Sequence, residues 1–153
     1  MRMFIDIARS RHSCRAFTNE PLSAEERALI LEAGSLAPSG KGRRPVRLVP
    51  VEDPAVIREL AKSKDSGTKA LDTATFAVVV AADSASSDTW VEDSANAAVM
   101  MQLQAEELGL GSCWVQNRLR TARGEPSETV TKATAGLDPS LSVLCIVAFG
   151  RKA

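Results

Sequence analysis

The residues best suited to chemistry stand together near the start of the chain, in the stretch RHSCRAF, residues 11–17. Arg11 and Arg15 each offer a fixed fork of N–H donors that matches phosphate oxygens and keeps its charge. Two arginines four positions apart can hold one phosphate if the backbone brings them together. Taken alone, the stretch favours a plainer interpretation, a solvated basic patch between a short helix and a loop. Other segments of the chain must decide between the two.

A second cationic segment is APSGKGRRP, residues 37–45. Its prolines and glycines predict a loop, and glycines let a backbone approach a ligand closely and form an anion-binding nest. The segment is not a Walker loop, because Lys41 is followed by Gly42 rather than by Ser or Thr. A flexible basic connector is the competing interpretation.

The sequence shows no acid–base pair for catalysis. His12 is the only histidine and could be a general base, but no nucleophile matched to it is evident. Cys113 stands beside Trp114 in an apolar stretch and is predicted to be a small buried hydrophobe. The cysteines are three in number, far apart and without a CxxC, so we predict no metal site and a reducing, cytoplasmic compartment.

Length and charge limit the classes of function. The 153 residues predict a single domain, residues 1–153, and Lys+Arg and Asp+Glu are both 19, so the formal net charge is zero. A chain without net charge has no global field to recruit nucleic acid or a membrane surface, so any anion site must be local. Four Phe, two Trp and no Tyr are too few for a base-stacking platform. No apolar run approaches a membrane span, and no signal peptide is evident.

Apolar periodicity and turn signals predict alternating helices and strands. We expect helices over residues 3–10, 24–36, 54–61, 90–108 and 126–135, and strands over 46–51, 75–82, 112–116 and 141–149. Ser23 followed by Glu26 is a capping box that starts the second helix, and Gly109 and Gly136 are helix stops. The helix over 90–108 reads as apolar almost all round, which predicts burial in a large core or, in a chain this short, in a subunit interface.

Several of these segments, in this order, resemble the FMN-dependent nitroreductase family. The resemblance lies in residues 11–17, in residues 37–45, in AEELGLGSCWVQ at 105–116, and in the last strand running into Gly150. Each motif is weak alone, but their order and spacing cover nearly the whole chain. The chain resembles a short member of the family that lacks the usual C-terminal tail.

The resemblance implies an α+β, three-layer fold with a central, mostly antiparallel sheet flanked by helices, assembled as a homodimer with FMN at its interface. It implies that NADH or NADPH reduces the flavin, which then reduces a nitroaromatic, a quinone or a related small-molecule acceptor in a ping-pong cycle. The flavin would carry the chemistry, so no catalytic side chain is predicted. The alternative is a dimer that binds a flavin or another phosphorylated ligand without efficient turnover, as a sensor or carrier.

The resemblance also implies the cofactor-binding residues. They are Arg11, His12, Ser13 and Arg15 for the phosphate, the loop Pro38, Ser39 and Gly40 of the partner subunit for the ring, and Val115, Gln116 and Asn117, whose backbone N–H groups would face the ring's reactive edge. Arg151 or Lys152 would replace the basic residues that relatives carry in their tail.

Three positions depart from the family pattern. Gly42 stands where the family usually has Asn, Arg44 where it has Gln, and Val46 where it often has Trp. Gly42 and Arg44 therefore belong to the candidate site, but the ring contacts that Asn and Gln make in relatives are not implied for them. Gly42 offers only its backbone to a ligand.

Overall fold

The computed structural model describes residues 1–153. The helices are α1 (Phe4–Ser10), α2 (Ala24–Ser35), α3 (Pro54–Leu60), α4 (Trp90–Glu107) and α5 (Ser127–Ala135). The strands are β1 (Val46–Val51), β2 (Phe76–Ala82), β3 (Leu110–Gln116), β4 (Thr121–Ala122), β5 (Glu125–Pro126) and β6 (Ser142–Arg151). Every predicted helix and strand is present, and most ends agree within one or two residues. The hairpin β4–β5 and the short 3₁₀ turns were not predicted.

The central sheet has the strand order β1-β2-β6-β3, and every neighbouring pair is antiparallel. All residues of β2 are buried, as its unbroken run of apolar residues predicts. Its side chains alternate between two cores: Val79 packs with α3 and α5, whereas Val78 packs with α2 and α4. Helices therefore cover both faces, and the predicted α+β architecture with three layers is confirmed.

Local signals fix the ends of the helices. The Ser23 hydroxyl accepts from the backbone N–H of Glu26 at 3.1 Å, and the Glu26 carboxylate accepts from the backbone N–H of Ser23 at 2.7 Å. This is the predicted capping box at the start of α2. Gly109 and Gly136 have φ of +77° and +68°, the left-handed conformation in which helices commonly end.

The prediction that α4 is apolar almost all round is wrong. Its inward face packs Ala98 and Met101 against α2 and the sheet, but the same face buries the carboxyl groups of Asp93 and Glu106. Outward residues such as Glu92 are exposed. Neither α4 nor any other helix is long and apolar enough to cross a membrane. Helix α4 thus carries buried carboxylates whose partners lie in the candidate site.

One extra residue in β6 determines how β3 ends. Leu144 is unpaired in the β2–β6 ladder, opposite the step from Val80 to Ala81, and is therefore a β-bulge. Its carbonyl oxygen accepts from the backbone N–H groups of both Asn117 and Arg118, each at 3.0 Å. The bulge holds the segment that follows β3 against the sheet.

The strand register gathers three loops at one end of the sheet. Val46 pairs with Ala82, and Ala82 pairs with Ser142. The loop before β1, the loop after β2 and the segment after β3 consequently emerge at the same end. Residues 11–17 lie elsewhere, along the open edge of β3.

Candidate ligand-binding site

Residues 11–17 are fastened to the open edge of β3. Ser13 forms a parallel bridge with Ser112, whose carbonyl accepts from the backbone N–H of Cys14 at 2.9 Å. Phe17 is buried over Gly150, where an added Cβ would lie 2.6 Å from the Cβ of Phe17. Glycine is required at position 150 because the aromatic residue closes the motif against the sheet there.

Glu106 anchors the start of the same motif. Its carboxylate accepts from the Ser10 hydroxyl at 2.8 Å and from Lys152 Nζ at 2.8 Å, and it pairs with Arg2 at 3.5 Å. Burial alone would raise the pKa of Glu106, but the hydrogen bonds from Lys152 and Ser10 hold it below its ordinary value. The buried carboxylate is therefore ionised and ties α1, α4 and the end of β6 together.

The motif contains two arginines without a carboxylate partner and a histidine in contact with Cys14. Arg11 is half-buried and Arg15 is exposed, and neither forms an ion pair with a carboxylate. His12 Nδ1 lies 3.1 Å from the Ser10 carbonyl oxygen, and His12 Nε2 lies 3.4 Å from Cys14 Sγ. The expectation that His12 has no matching nucleophile is wrong, because Cys14 is within hydrogen-bond reach.

The loop over 37–45 is fixed by a buried carboxylate that sequence analysis missed. The backbone N–H of Gly40 donates to Asp93 Oδ1 at 2.9 Å, while the hydroxyls of Ser87 and Thr89 donate to Asp93 Oδ2 at 3.3 and 3.2 Å. A Cβ at position 40 would collide with the Thr89 hydroxyl. The loop is consequently held against the start of α4 and is not a flexible connector.

Backbone conformation in this loop is unusual. Lys41, Gly42 and Arg44 have φ of +54°, +63° and +50°, and the left-handed region costs a non-glycine residue about 1–3 kcal/mol. The Ser39 hydroxyl accepts from the backbone N–H of Arg44 at 2.9 Å and so supports one of these residues. Strain of this kind persists where the surrounding structure enforces it, commonly at ligand sites.

A cavity of about 440 Å³ lies beside the loop, between α2, β1 and α4. Pro38, Ser39 and Arg44 line it, together with Asp93 and apolar residues of the three elements. The structure brings two of the predicted ring-binding residues, Pro38 and Ser39, to this cavity together with the candidate residue Arg44, whereas Gly40 does not line it. Gly42 does not line it, and nothing lies within 4 Å of where its Cβ would be.

The end of β3 presents fewer free N–H groups than predicted. The backbone N–H of Asn117 is bonded to Leu144. Because N–H direction alternates along an antiparallel strand, the N–H of Val115 also points to β6 and only that of Gln116 points to the open edge. The prediction that all three groups face a ligand is wrong for Val115 and Asn117.

The Gln116 side chain also stiffens this segment. Its Oε1 accepts from Trp114 Nε1 at 2.9 Å, and its Nε2 donates to the Arg118 carbonyl oxygen at 3.0 Å. The Arg118 guanidinium lies 6.0 Å from the centroid of the Trp90 ring, within cation–π range. The segment after β3 is thereby connected to the start of α4.

Lys64 was also missed, because residues 62–73 carry no clear periodic pattern. Burial, and then the nearby Arg120 guanidinium, lower the pKa of Lys64. The two residues are brought together because the Asp65 backbone N–H donates to the Thr121 carbonyl oxygen at 3.3 Å. Lys64 adds a partly buried positive charge to the surroundings of Cys113.

Cys113 is buried, as predicted, at 5% exposure. Its burial raises the pKa of the thiol, and the Arg15 guanidinium and Lys64 ammonium oppose that increase. Two cations from segments that are distant in sequence, Arg15 and Lys64, therefore lie near the same position of β3.

Arg151 is not free to serve as a phosphate ligand. Its guanidinium forms ion pairs with Glu20 and Glu26, both at 3.0 Å, and Lys152 is paired with Glu106. That either residue replaces the tail cations of relatives stays a prediction, and these ion pairs argue against it because carboxylates already neutralise both charges.

The unpaired cations are concentrated in three segments. Twelve of the 19 lysines and arginines form no ion pair, and eight of these twelve lie within residues 11–15, 41–44 and 118–123; the other four are Arg47, Arg58, Lys64 and Lys69. No group of three or more His, Cys, Asp or Glu side chains could hold a metal ion. The arrangement suits an anionic ligand.

Comparison with known proteins decides the family. The nitroreductase family model matches residues 8–80 and 62–151. An FMN-dependent nitroreductase from Clostridium difficile R20291 has a solved structure that superposes with a TM-score of 0.94 at 34% identity, covering 97% of this chain and 87% of that one. The chain belongs to the nitroreductase family. It is thus a nitroreductase-family oxidoreductase, and the resemblance found in its motifs is confirmed.

Two other nitroreductases extend the comparison. The structure of a Bacteroides fragilis NCTC 9343 nitroreductase with bound FMN superposes with a TM-score of 0.82 at 26% identity, covering 100% of this chain and 90% of that one. A relative from Archaeoglobus fulgidus is 29% identical over 145 residues, covering 92% of this chain and 80% of its own length. It carries the provisional name NADH dehydrogenase/NAD(P)H nitroreductase.

Proposed function

We propose that this nitroreductase binds FMN, with the phosphate held by Arg11, Ser13 and Arg15. The observation that carries the proposal is that these two arginines have no carboxylate partner, although they lie on a segment clamped to β3 at Ser13 and Phe17. Unpaired guanidinium groups beside a hydroxyl fit a phosphate dianion. His12 lies between the two arginines in the same segment.

When bound, FMN would supply hydride transfer from NADH or NADPH to a nitroaromatic, a quinone or a related acceptor in a ping-pong cycle. The protein's own residues bind and orient the cofactor. Gln116 offers a backbone N–H at the open edge of β3, and Lys64 adds positive charge near Cys113 of the same strand. Neither residue needs to act as an acid or base.

We further propose that the protein is a homodimer in which the loop containing Pro38, Ser39 and Gly40 reaches the cofactor of the other subunit. Support comes from the way Asp93 holds this loop in a fixed, strained conformation and from FMN in related structures. Gly42 and Arg44 belong to the same loop, and Arg44 directs a cation into the adjoining cavity.

Titration with FMN and with riboflavin tests the phosphate assignment. Arg15→Ala removes a charge-assisted hydrogen bond of about 1.5–3 kcal/mol, so FMN affinity is expected to fall about 10- to 100-fold while riboflavin affinity changes little. Arg9→Ala is the matched control, because Arg9 is exposed and pairs only with Asp6. Equal affinities for FMN and riboflavin in the unmodified protein would refute the assignment.

A binding protein without efficient turnover is the second candidate. Gly42 and Arg44 replace the residues usual in the family, and Arg151 is occupied by carboxylates, so cofactor contacts differ from those of relatives. The visible absorbance of the FMN-loaded protein separates the candidates. Bleaching on addition of NADH or NADPH supports the oxidoreductase, and a stable spectrum with bound flavin supports the carrier or sensor.

A further inference from the structure

We propose that the cavity between α2, β1 and α4 binds a small apolar carboxylate, with Arg44 holding the carboxylate group and the apolar wall holding the body of the ligand. The cavity is built by residues outside the cationic motif over 11–17, so the proposal does not depend on FMN binding. It rests on the lining of the cavity, on the free guanidinium group of Arg44 and on the fixed conformation of the loop that carries it.

The cavity is large enough for an organic molecule. Its volume is about 440 Å³, which lies within the range of about 300–1,000 Å³ that small-molecule sites have. Its apolar wall comes from three elements and includes Leu31 of α2, Val46 and Leu48 of β1, and Ala97 of α4. Burial of apolar surface would therefore favour binding, and the few polar groups would orient the ligand.

Arg44 gives the cavity a cation that no other group of the chain neutralises. Its guanidinium group has no ion-pair partner and donates no hydrogen bond, whereas its backbone is bonded to the Ser39 hydroxyl and to Arg47. A guanidinium group offers a planar fork of N–H donors that matches the two oxygens of a carboxylate. A free arginine beside an apolar cavity is therefore suited to a ligand with an anionic group on an apolar body.

The loop holds the backbone of Arg44 in one conformation. Its φ is +50°, in the left-handed region that residues other than glycine rarely adopt. The Ser39 hydroxyl accepts from the Arg44 backbone N–H at 2.9 Å, and Asp93 fixes the same loop by accepting from the Gly40 backbone N–H at 2.9 Å. Because the start of the arginine side chain is fixed before a ligand arrives, less conformational entropy is lost on binding.

Two carboxylates also line the cavity, and neither is paired with Arg44. Asp93 accepts from the backbone N–H of Gly40 and from two hydroxyl groups, so three donors already stabilise its charge. Glu32 is exposed and forms no ion pair with any cation. Because Glu32 is exposed, solvent and salt screen its repulsion of an anionic ligand. The guanidinium group of Arg44 therefore stays available to a ligand carboxylate.

Two of the lining residues depart from the family pattern. Arg44 stands where the family usually has Gln and Val46 where it often has Trp, and both line the cavity. The free cation and the open space beside Val46 therefore come from positions at which this chain differs from its relatives. The expected ligand class is accordingly a property of this chain.

Calorimetric titration of the full chain with 2-naphthoate and with the uncharged 2-naphthamide tests the site. Excess FMN is present, so that neither compound occupies a flavin site, and FMN binding itself is measured by the separate titration above. We expect 2-naphthoate to bind about tenfold more tightly or better than 2-naphthamide. Equal affinities for the two compounds, or no binding of 2-naphthoate, would overturn the proposal.

The role of Arg44 is tested by removal of its charge. Arg44→Gln is expected to weaken binding of 2-naphthoate about 10- to 100-fold and to change that of 2-naphthamide little, because only a charge-assisted hydrogen bond is lost. Arg43→Gln is the matched control, because Arg43 belongs to the same loop but donates to the Ser86 carbonyl oxygen and does not line the cavity. Equal losses for the two compounds in Arg44→Gln would overturn its assigned role.

The location is tested by filling the cavity. Val46→Trp from β1 and Leu31→Trp from α2 are each expected to weaken binding of both compounds about tenfold or more. Val49→Trp is the control, because Val49 is half-buried on the opposite face of β1, and it is expected to leave both affinities unchanged. Circular dichroism and thermal unfolding identify the variants that fold. Undiminished binding in a folded Val46→Trp or Leu31→Trp variant would overturn the assignment of the cavity.

Discussion

Phe17 shows how one side chain determines where a cationic motif lies. The ring is buried over Gly111 and Gly150, which pair with each other in β3 and β6 and leave the space that it occupies. Arg15 stands two positions earlier, so displacement of Phe17 would also displace the arginine. At the residue scale, the position of the candidate phosphate-binding residues therefore depends on two glycines, Gly111 and Gly150.

We predict that Gly150→Ala destabilises the protein by about 1–3 kcal/mol, because the added methyl group overlaps the Cβ of Phe17 and cannot be relieved by a rotamer change. Denaturant unfolding measures the loss. Gly42→Ala is the comparison, because its cost comes only from a left-handed backbone in open space. A loss in Gly150→Ala no larger than that of Gly42→Ala would contradict the steric explanation.

At the scale of elements, α4 holds both halves of the candidate site. Asp93 near its start binds the loop at Gly40, and Glu106 near its end binds the start of the cationic motif at Ser10. Both carboxylates are on the buried face of the helix. The helix therefore acts as a rigid spacer between two segments that are far apart in sequence.

We predict that Glu106→Gln lowers the free energy of unfolding by about 1–3 kcal/mol at pH 7, because the charge-assisted hydrogen bond from Lys152 and the ion pair with Arg2 are lost. The pKa of Glu106 is lower in the folded than in the unfolded protein. Its stabilisation is therefore present above the unfolded value of about 4.3 and is lost as pH falls through the folded value.

Urea unfolding at neutral and acidic pH checks the prediction about Glu106. The difference in the free energy of unfolding between the unmodified protein and Glu106→Gln is expected to become smaller at acidic pH. Glu107→Gln is the matched control, because Glu107 is exposed and accepts only from Gln104. A difference that does not change with pH would contradict the ion-pair explanation.

Elements with local signals were predictable from the sequence, and tertiary partners were not. The capping box at Ser23 involves residues three apart, so it can be identified without a fold. Asp93 binds the backbone N–H of Gly40, which is distant in sequence. From the sequence alone, Asp93 could therefore not be distinguished from any other acidic residue in the first turn of a helix. Strands β4 and β5 have two residues each, too few to show a period of two.

The candidate site was predictable in part for the same reason. The cationic segments could be located because charge and glycine content are visible in sequence. The direction of the Val115 N–H depends on strand register, and the neutralisation of Arg151 depends on carboxylates brought near by folding. The contact between His12 and Cys14 did leave a signal, since residues two apart in an extended segment point to the same side.

At the scale of the whole molecule, the apolar surface is uneven. Exposed apolar side chains include Met3, Phe4 and Ile5 on and beside α1, and Val99 on α4, at 43% exposure. Helices α1 and α4 pack together, so these residues can contribute to one surface. This distribution supports the proposed homodimer.

We predict a stable dimer with an interface of about 2,000 Å² or more in total, as in obligate dimers. Sedimentation at micromolar protein concentration measures the state. Val99→Arg places a charge on the outward face of α4 and is expected to shift the equilibrium toward the monomer. A folded monomer in the unmodified protein would refute the prediction.

The segregation of paired and unpaired cations also has a kinetic meaning. Although the chain has no net charge, an approaching phosphate first meets the guanidinium groups of Arg11 and Arg15, which no carboxylate neutralises. Attraction at a distance is screened over about 10 Å at 0.1 M salt, so added salt slows the encounter, whereas contacts already formed are less affected. The association rate constant of an anionic ligand is therefore expected to vary with ionic strength more than its dissociation rate constant. A protein with a large positive net charge would behave in the same way.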